Sequence, residues 1–413
     1  MKKILTKSFY FILLASLSVI GQERNCDVND RMQLLFDADP SFEIYHNDLM
    51  DQLNSPSTTT LTTNQVVTIP VVFHVLYKNS QQNISDAQIL SQLAVLNADY
   101  RKLNADFNSV VPAQFQPFGA DIEINFCLAT QTPDAQPTNG ITRKSVPSSF
   151  TFEDDYYTAS GQPSWNNQKY LNIWVGRFTN NGLLGFAYLP SASGQPFDGL
   201  CIGDQFMGTN GTAQAPYNKG RTATHEIGHY FGLNHPWGNN SSCSNSDNIN
   251  DTPNTTGPYY GCPTFPSAAN LCSSAVSTSP NGAMFMNYMD YVNDACMALF
   301  TNDQKTVMRN ALSGPRAALL TSNACANLGI EGQAALDAIS IYPTVVSEYF
   351  KIASPHIEVD KVEIFASTGQ LVHSQEITDS TTQISIAHLQ VGVYYLRLYN
   401  NNEFLKSDRL IKK

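Results

Sequence analysis

Three of the chain's eight histidines fall in one short string, Thr224-His225-Glu226-Ile227-Gly228-His229-Tyr230-Phe231-Gly232-Leu233-Asn234-His235. Positions i and i+4 share one face of a helix, so His225 and His229 can present two imidazole nitrogens to a single ion. Glu226 lies beside His225 and projects toward the same cleft, where a carboxylate can polarise a metal-bound water. Gly232 stops the helix and lets the chain turn sharply, bringing His235 round as a third ligand. Three protein nitrogens and one open position make the coordination of a catalytic zinc rather than of a closed structural one. Zinc in such a site lowers the pKa of water and polarises a substrate carbonyl. The alternative is a helix with two core histidines and a solvated glutamate. It leaves Gly228 and Gly232 without a purpose, although a helical glycine costs about 1 kcal/mol relative to alanine.

The extended string resembles the metzincin metallopeptidases, whose second hallmark is a tight turn with a methionine beneath the zinc. Asn287-Tyr288-Met289-Asp290-Tyr291 supplies that turn. The fuller Met286-Asn-Tyr-Met-Asp-Tyr-Val-Asn-Asp-Ala-Cys296-Met and the earlier Asp251-Thr252-Pro253 resemble the pappalysin family in particular. The resemblance spans roughly Val66 to Leu312. It implies a zinc endopeptidase with His225, His229 and His235 on the metal and Glu226 as general base. Met289 would floor the site, and Tyr291 would stabilise the oxyanion; core packing is the bland reading of both.

The same resemblance implies the disulfides Cys243–Cys272 and Cys262–Cys296, which would staple a stretch without a core. It further implies structural calcium near Asp247, Asp251 and Thr252, whose hard oxygens suit that ion, unless they merely form Asx turns. Asp294 would sit at the bottom of the pocket for the residue after the scissile bond and favour Arg or Lys there. The competing readings of Asp294 are a turn cap or a calcium ligand. Cys26, in the sequence Arg24-Asn-Cys26, would be a thiolate occupying the fourth zinc position in a latent precursor. Its alternative is a disulfide with Cys127, Cys201 or Cys325.

These residues need a scaffold, and the periodicity of the chain supplies one. Val66 to Leu76 is a β-branched run, and Ile122, Ile124, Phe126 and Leu128 alternate as a half-buried strand. Leu171–Val175 and Leu184–Tyr188 read as two more strands. Ser85-x-x-Gln88 is a capping box, followed by Ile89, Leu93, Leu96 and Tyr100 at helical spacing. Helices are expected near 222–232 and from Asp303 to Leu312, and one amphipathic helix, broken at Asp39-Pro40, before residue 53. This order predicts an α/β (α+β) domain with a twisted mixed sheet and a long active-site helix. From about 240 to 290 the composition turns to Asn, Ser, Pro, Gly and Cys, so disulfides or metals must hold the chain.

The last 75 or so residues are short alternating strands: Val362–Phe365, Gln370–His373, Gln383–Ile386 and Val393–Leu398. They predict a small all-β sandwich. Ile341-Tyr-Pro343, Val362-Glu-Ile-Phe-Ala-Ser-Thr-Gly369, Leu389-Gln-Val-Gly-Val-Tyr-Tyr and the basic end Lys412-Lys413 resemble the type IX secretion sorting domain of Gram-negative Bacteroidota. A carbohydrate- or protein-binding module is the alternative there. At the other end, Lys2, Lys3 and Lys7 precede an apolar run from Phe9 to Ile20, which reads as an export signal rather than a membrane anchor.

The expected organisation is a signal at 1–21, a latency segment and linker at 22–65 and a metallopeptidase domain at 66–325. A second linker at 326–337 and a sorting domain at 338–413 complete it. Hydrophobic residues make up 42% of the chain and charged residues only 14%, with a net charge of −11. An acidic chain without a basic cluster is no nucleic-acid binder. The expected partners are peptide substrates and the type IX secretion machinery, and the expected location is outside the cell or on its surface. A surface adhesin that keeps the fold without cleaving is the alternative, which the intact Glu226 disfavours.

Overall fold

The computed structural model describes residues 23–55, 65–180, 182–239, 242–273, 282–325, 339–354, 358–366, 370–377, 383–400 and 403–413. The expected signal (1–21), most of the Ser/Thr-rich linker (56–64), the second linker (326–337) and Gly369 lie outside them. Among the described residues no helix is long and apolar enough to cross a membrane. They fall into two units, one ending at Ser322 and one beginning at Asn323.

In the first unit the β-branched run becomes β2 (Val67–Tyr77), flanked in the sheet by β1 (Asn25–Cys26), β3 (Ile124–Leu128), β4 (Ile141–Ser145), β5 (Leu171–Gly176), β6 (Leu183–Ala187) and β7 (Leu200–Gly203). The strand order is β1-β6-β7-β5-β2-β3, with β4 also on β2. β2 has eleven residues, so β3 pairs along its first half and β4 along its second. These pairs and β2–β5–β7 are parallel, while β6 runs antiparallel to β7. Parallel strands are covered on both faces, which is why β2 and β5 read as nearly unbroken apolar runs. β6 is the edge strand of the domain itself, and β1 is added to it from the N-terminal segment.

The helices are α1 (Val28–Ala38), α2 (Pro40–Asn54), α3 (Asp86–Asp99), α4 (Phe107–Val110), α5 (Phe152–Asp155), α6 (Arg221–Tyr230) and α7 (Asn302–Ser313). Ser85 caps α3 by accepting from the Gln88 N–H, and Thr301 with Gln304 forms a capping box on α7. The single broken helix expected before residue 53 is two helices. Asp39, held extended by the proline that follows it, ends α1 and caps α2. Between 242 and 272 the described residues form turns and the isolated bridge Thr255–Leu271. Disulfides join Cys243 to Cys272 and Cys262 to Cys296, each with Cα atoms 5.6 Å apart. Cys127 and Cys325 are disulfide-bonded as well.

The second unit has two sheets. β8 (Ser340–Tyr342), β10 (Tyr349–Ala353) and β13 (Gln383–Ser385) form one. β9 (Val345–Val346), β11 (Lys361–Ala366), β12 (Leu371–Glu376), β14 (Gly392–Asn400) and β15 (Glu403–Lys412) form the other. Ile341, Phe350, Ile352 and Ile384 of the first meet Val362, Ile364, Leu396, Leu398 and Leu410 of the second in one core. The sandwich expected from the alternation is therefore present.

Candidate active site

Every residue of α6 is buried, so its polar side chains must find partners. The helix ends at Tyr230, and two residues on Gly232, whose φ of +97° is open to glycine at little cost, lets the chain double back to His235. The Nε2 atoms of His225, His229 and His235 then lie 3.1, 3.1 and 3.3 Å apart. Three corners of a tetrahedron around zinc, with Zn–N of about 2.0–2.1 Å, would be separated by about 3.3–3.4 Å. The donor set fits that ion.

The remaining ring nitrogens explain the orientation. His225 Nδ1 donates to the Tyr288 carbonyl and His229 Nδ1 to the Leu233 carbonyl, both at 2.7 Å. A proton on Nδ1 leaves Nε2 bare as a ligand. His235 stacks on Trp237 with centroids 4.6 Å apart and planes 3° from parallel. Burial pushes His229 down to about 4 and His225 and His235 well below the ordinary range, so all three rings are neutral.

Glu226 shares the cluster but points at the edge strand. A Cβ on Gly185 of β6 would come within 3.0 Å of its carboxylate, so the glycine makes its room. Burial pushes Glu226 up to about 8, against the opposing pull of a hydrogen bond from Cys26 and the charge of Arg24.

Beneath the helix, Asn287 accepts from the Met289 N–H and Asp290 from the Tyr291 N–H, closing a tight turn. A Cβ on Gly228 would lie 2.4 Å from Met289 Sδ, which gives that helical glycine its purpose. Asp99, at the end of α3, braces both parts. It accepts from Thr224 on α6 at 2.7 Å and from Tyr288 in the turn at 3.0 Å, and it pairs with Arg221 at 3.0 Å.

The N-terminal segment enters this cleft as β1, with Cys26 beside Gly185. Cys26 Sγ joins the three imidazole nitrogens, all four donors within 4.8 Å of one another. The thiol is free, which corrects the alternative of a disulfide, and it donates to Glu226 at 3.2 Å. Burial and the neighbouring Glu226 both raise its pKa, so only a cation at the imidazoles would hold it as thiolate. The Tyr291 hydroxyl donates to the Cys26 carbonyl at 3.4 Å. Two residues earlier, Arg24 pairs with Asp294 at 2.5 Å, with both side chains buried. The other Asp294 oxygen accepts from the backbone of Lys219 at 2.8 Å and Arg221 at 3.3 Å. It thus caps the start of α6 while facing the guanidinium.

Residues 156–313 match the family model described as pregnancy-associated plasma protein-A, and residues 340–413 match the secretion system C-terminal sorting domain. An extracellular metalloprotease of Arthroderma benhamiae is 30% identical over 268 residues, which is 63% of this chain and 83% of the relative. The chain belongs to the pappalysin family of metallopeptidases. Among solved structures, mature mirolysin of Tannerella forsythia in complex with a cleaved peptide is 44% identical, with a TM-score of 0.58 over 62% of this chain and 97% of that one. A promirolysin mutant of the same organism is 40% identical, with a TM-score of 0.63 over 72% and 96%. This pappalysin is a metalloendopeptidase with a type IX sorting tail, and its location is extracellular or on the cell surface.

The structure brings His225, His229, His235, Glu226, Tyr291, Met289, Asp294 and Cys26 together. It does not add Asp247, Asp251 or Thr252. Asp247 accepts from the Ile249 N–H and the Thr252 hydroxyl, and Asp251 from the Thr301 hydroxyl and the Asp303 N–H. Among the described residues the Cys26–histidine group is the one metal-type cluster of three or more His, Cys, Asp or Glu donors. Sequence reading missed the pairing of Arg24 with Asp294 and the stacking of Trp237. The signal for the first was present, since an acidic pocket closed by a latent segment calls for a cation beside Cys26.

Proposed function

We propose that this pappalysin is a zinc-dependent endopeptidase, held latent by its own residues 22–65 and selective for Arg or Lys after the scissile bond. The observation that carries the reading is the set of three Nε2 atoms 3.1–3.3 Å apart, with Cys26 as fourth donor. His225, His229 and His235 would hold zinc, which supplies Lewis-acid polarisation of the carbonyl and a water acidified toward neutrality. Glu226 takes the proton from the attacking water and delivers it to the leaving amine. A carboxyl raised by burial suits a group that must also hold that proton. Tyr291 donates to the substrate carbonyl oxygen as charge builds on it, from the position where it now meets the Cys26 carbonyl. Met289 supports the histidines from below.

Asp294 pairs with a cationic side chain of the substrate, as it does with Arg24 in the latent chain. Arg24 precedes Cys26, yet it fills the pocket assigned to the residue after the scissile bond. The segment therefore runs opposite to a substrate, which protects it from cleavage. Structural calcium at Asp247, Asp251 and Thr252 is our proposal from the family resemblance. Its test is thermal unfolding with and without added calcium, and an unchanged melting temperature removes it. The central test compares cleavage of a mixed peptide library with and without chelator. Cleavage should vanish on chelation and return with zinc; cleavage that survives chelation refutes the reading.

A further inference from the structure

The latent segment carries a second arginine whose seat the chemistry above does not use. α1 turns Arg31 back onto the edge of the sheet, with its guanidinium 4.4 Å from the Phe186 ring centroid and 3.6 Å from the Asp154 carboxylate. The Arg31 side chain is only 14% exposed. Phe186 follows Gly185, the β6 residue beside Cys26, so the seat is built on the strand that receives the segment. The ring is fully buried and braced by Tyr156 at 5.7 Å, Phe178 at 5.9 Å and Tyr188 at 6.2 Å. α5 adds Asp154, while its neighbours Glu153 and Asp155 accept from Thr179 and Thr151. An aromatic face fixed from behind with a carboxylate at its rim is a cation site by its chemistry.

Its side of the cleft follows from the segment. Arg24 and Arg31 flank Cys26, and Arg24 occupies the Asp294 pocket. With the segment running opposite to a substrate, Arg31 follows Cys26 on the side that residues preceding the scissile bond would take, and its seat on Phe186 lies on the face of β6 turned away from Glu226.

We propose that Phe186, Tyr188 and Asp154 form a second cation subsite upstream of the scissile bond, filled by Arg31 in the latent chain and by a substrate Arg or Lys once the segment leaves. Its placement rests on the assignment of Asp294 to the downstream pocket. A planar guanidinium stacks on a ring better than an ammonium, so Arg is favoured over Lys. The ring supplies most of the affinity, because the Asp154 side chain is 67% exposed and its charge is screened.

The experiment uses the zinc-loaded full chain, activated by an elastase-type protease that cuts the Ser/Thr-rich linker. Peptides randomised on both sides of the cleavage point report the two subsites separately. Arg should be enriched at one upstream position, and matched peptides with Arg or Ala there should differ about threefold to tenfold in kcat/KM. Phe186→Leu should erase that upstream enrichment while leaving the downstream preference as proof of a folded site. Asp154→Lys, on an exposed side chain, should turn the preference against cations. Asp294→Ala should flatten the downstream positions alone, so failure of that assignment shows there and not upstream. Wild-type upstream positions indifferent to charge, or an enrichment that survives both Phe186→Leu and Asp154→Lys, would overturn the proposal.

Discussion

Glu226 and Arg24 have separable duties, and single substitutions expose each. In the proposed mechanism Glu226 serves the attacking water and the three histidines alone hold the metal, so Glu226→Ala should keep one equivalent of zinc by elemental analysis. Its peptide turnover should fall by about 10²–10⁴-fold, the usual contribution of a positioned acid–base group. Near-normal turnover would remove Glu226 from the mechanism. Arg24 acts before catalysis begins. Arg24→Ala leaves Asp294 buried without its cation, and breaking such a pair costs about 3–5 kcal/mol. Two backbone N–H groups still serve Asp294, which places the loss at the lower end. The uncut Arg24→Ala chain should melt earlier than wild type and show basal peptidase activity. A chain as silent and as stable as wild type would mean that Cys26 alone carries latency.

Elements determine whether those side chains stay in register. α6 meets the methionine turn through the His225 bond to the Tyr288 carbonyl and through Gly228 packed against Met289, where a methyl group has no room. Gly228→Ala should cost about 1–3 kcal/mol by overpacking and weaken zinc retention in a chelator competition. Wild-type retention would mean that the turn yields without moving the ligands. α2 is held differently. His46 is buried against Ser191, 2.8 Å from its hydroxyl, and against the Phe36 ring at 5.1 Å, and burial pushes it down to about 4. Once the segment is released, this ring titrates near its ordinary 6.5 and takes up a proton that the docked form refuses. Docking therefore weakens as pH falls from 6.5 toward 4, by about 2 kcal/mol at pH 5, and owes nothing to this group above 6.5. The melting temperature of the uncut chain should drop over that range, and His46→Leu should flatten the slope. These contacts also mark what the sequence could tell. The three histidines and Gly232 were legible because one helix and one turn place them, and the strands because apolar runs announce burial. Gly228 was recognisable as unusual, yet its partner Met289 lies far along the chain. The parallel pairing of β1 with β6 was not legible, and the need for a cation beside Cys26 did not by itself name Arg24, because no local periodicity encodes a contact across 270 residues.

At the scale of the whole chain, the question is what releases the latent enzyme. No Lys or Arg lies between Arg31 and Lys78 or between Arg316 and Lys351, so both linkers lack a residue able to pair with Asp294. The two arginines that the N-terminal segment does offer are occupied. Arg24 is buried on Asp294, and Arg31 lies against Phe186 within α1. An enzyme that needs a cation after the scissile bond, as proposed, therefore meets no accessible target in its latent segment or in either linker. Removal of the segment and of the sorting tail should fall to other proteases, the secretion machinery being the expected agent for the tail. The check is to produce wild type and Glu226→Ala in a host without that machinery and read the termini by mass spectrometry. Both chains should keep the same termini, and an added protease that accepts Ser or Thr should activate only the wild type. Self-trimming between Asn54 and Val66 by wild type alone would show that either the basic specificity or the dependence on other proteases is wrong. Profiling the trimmed enzyme on peptides decides between the two.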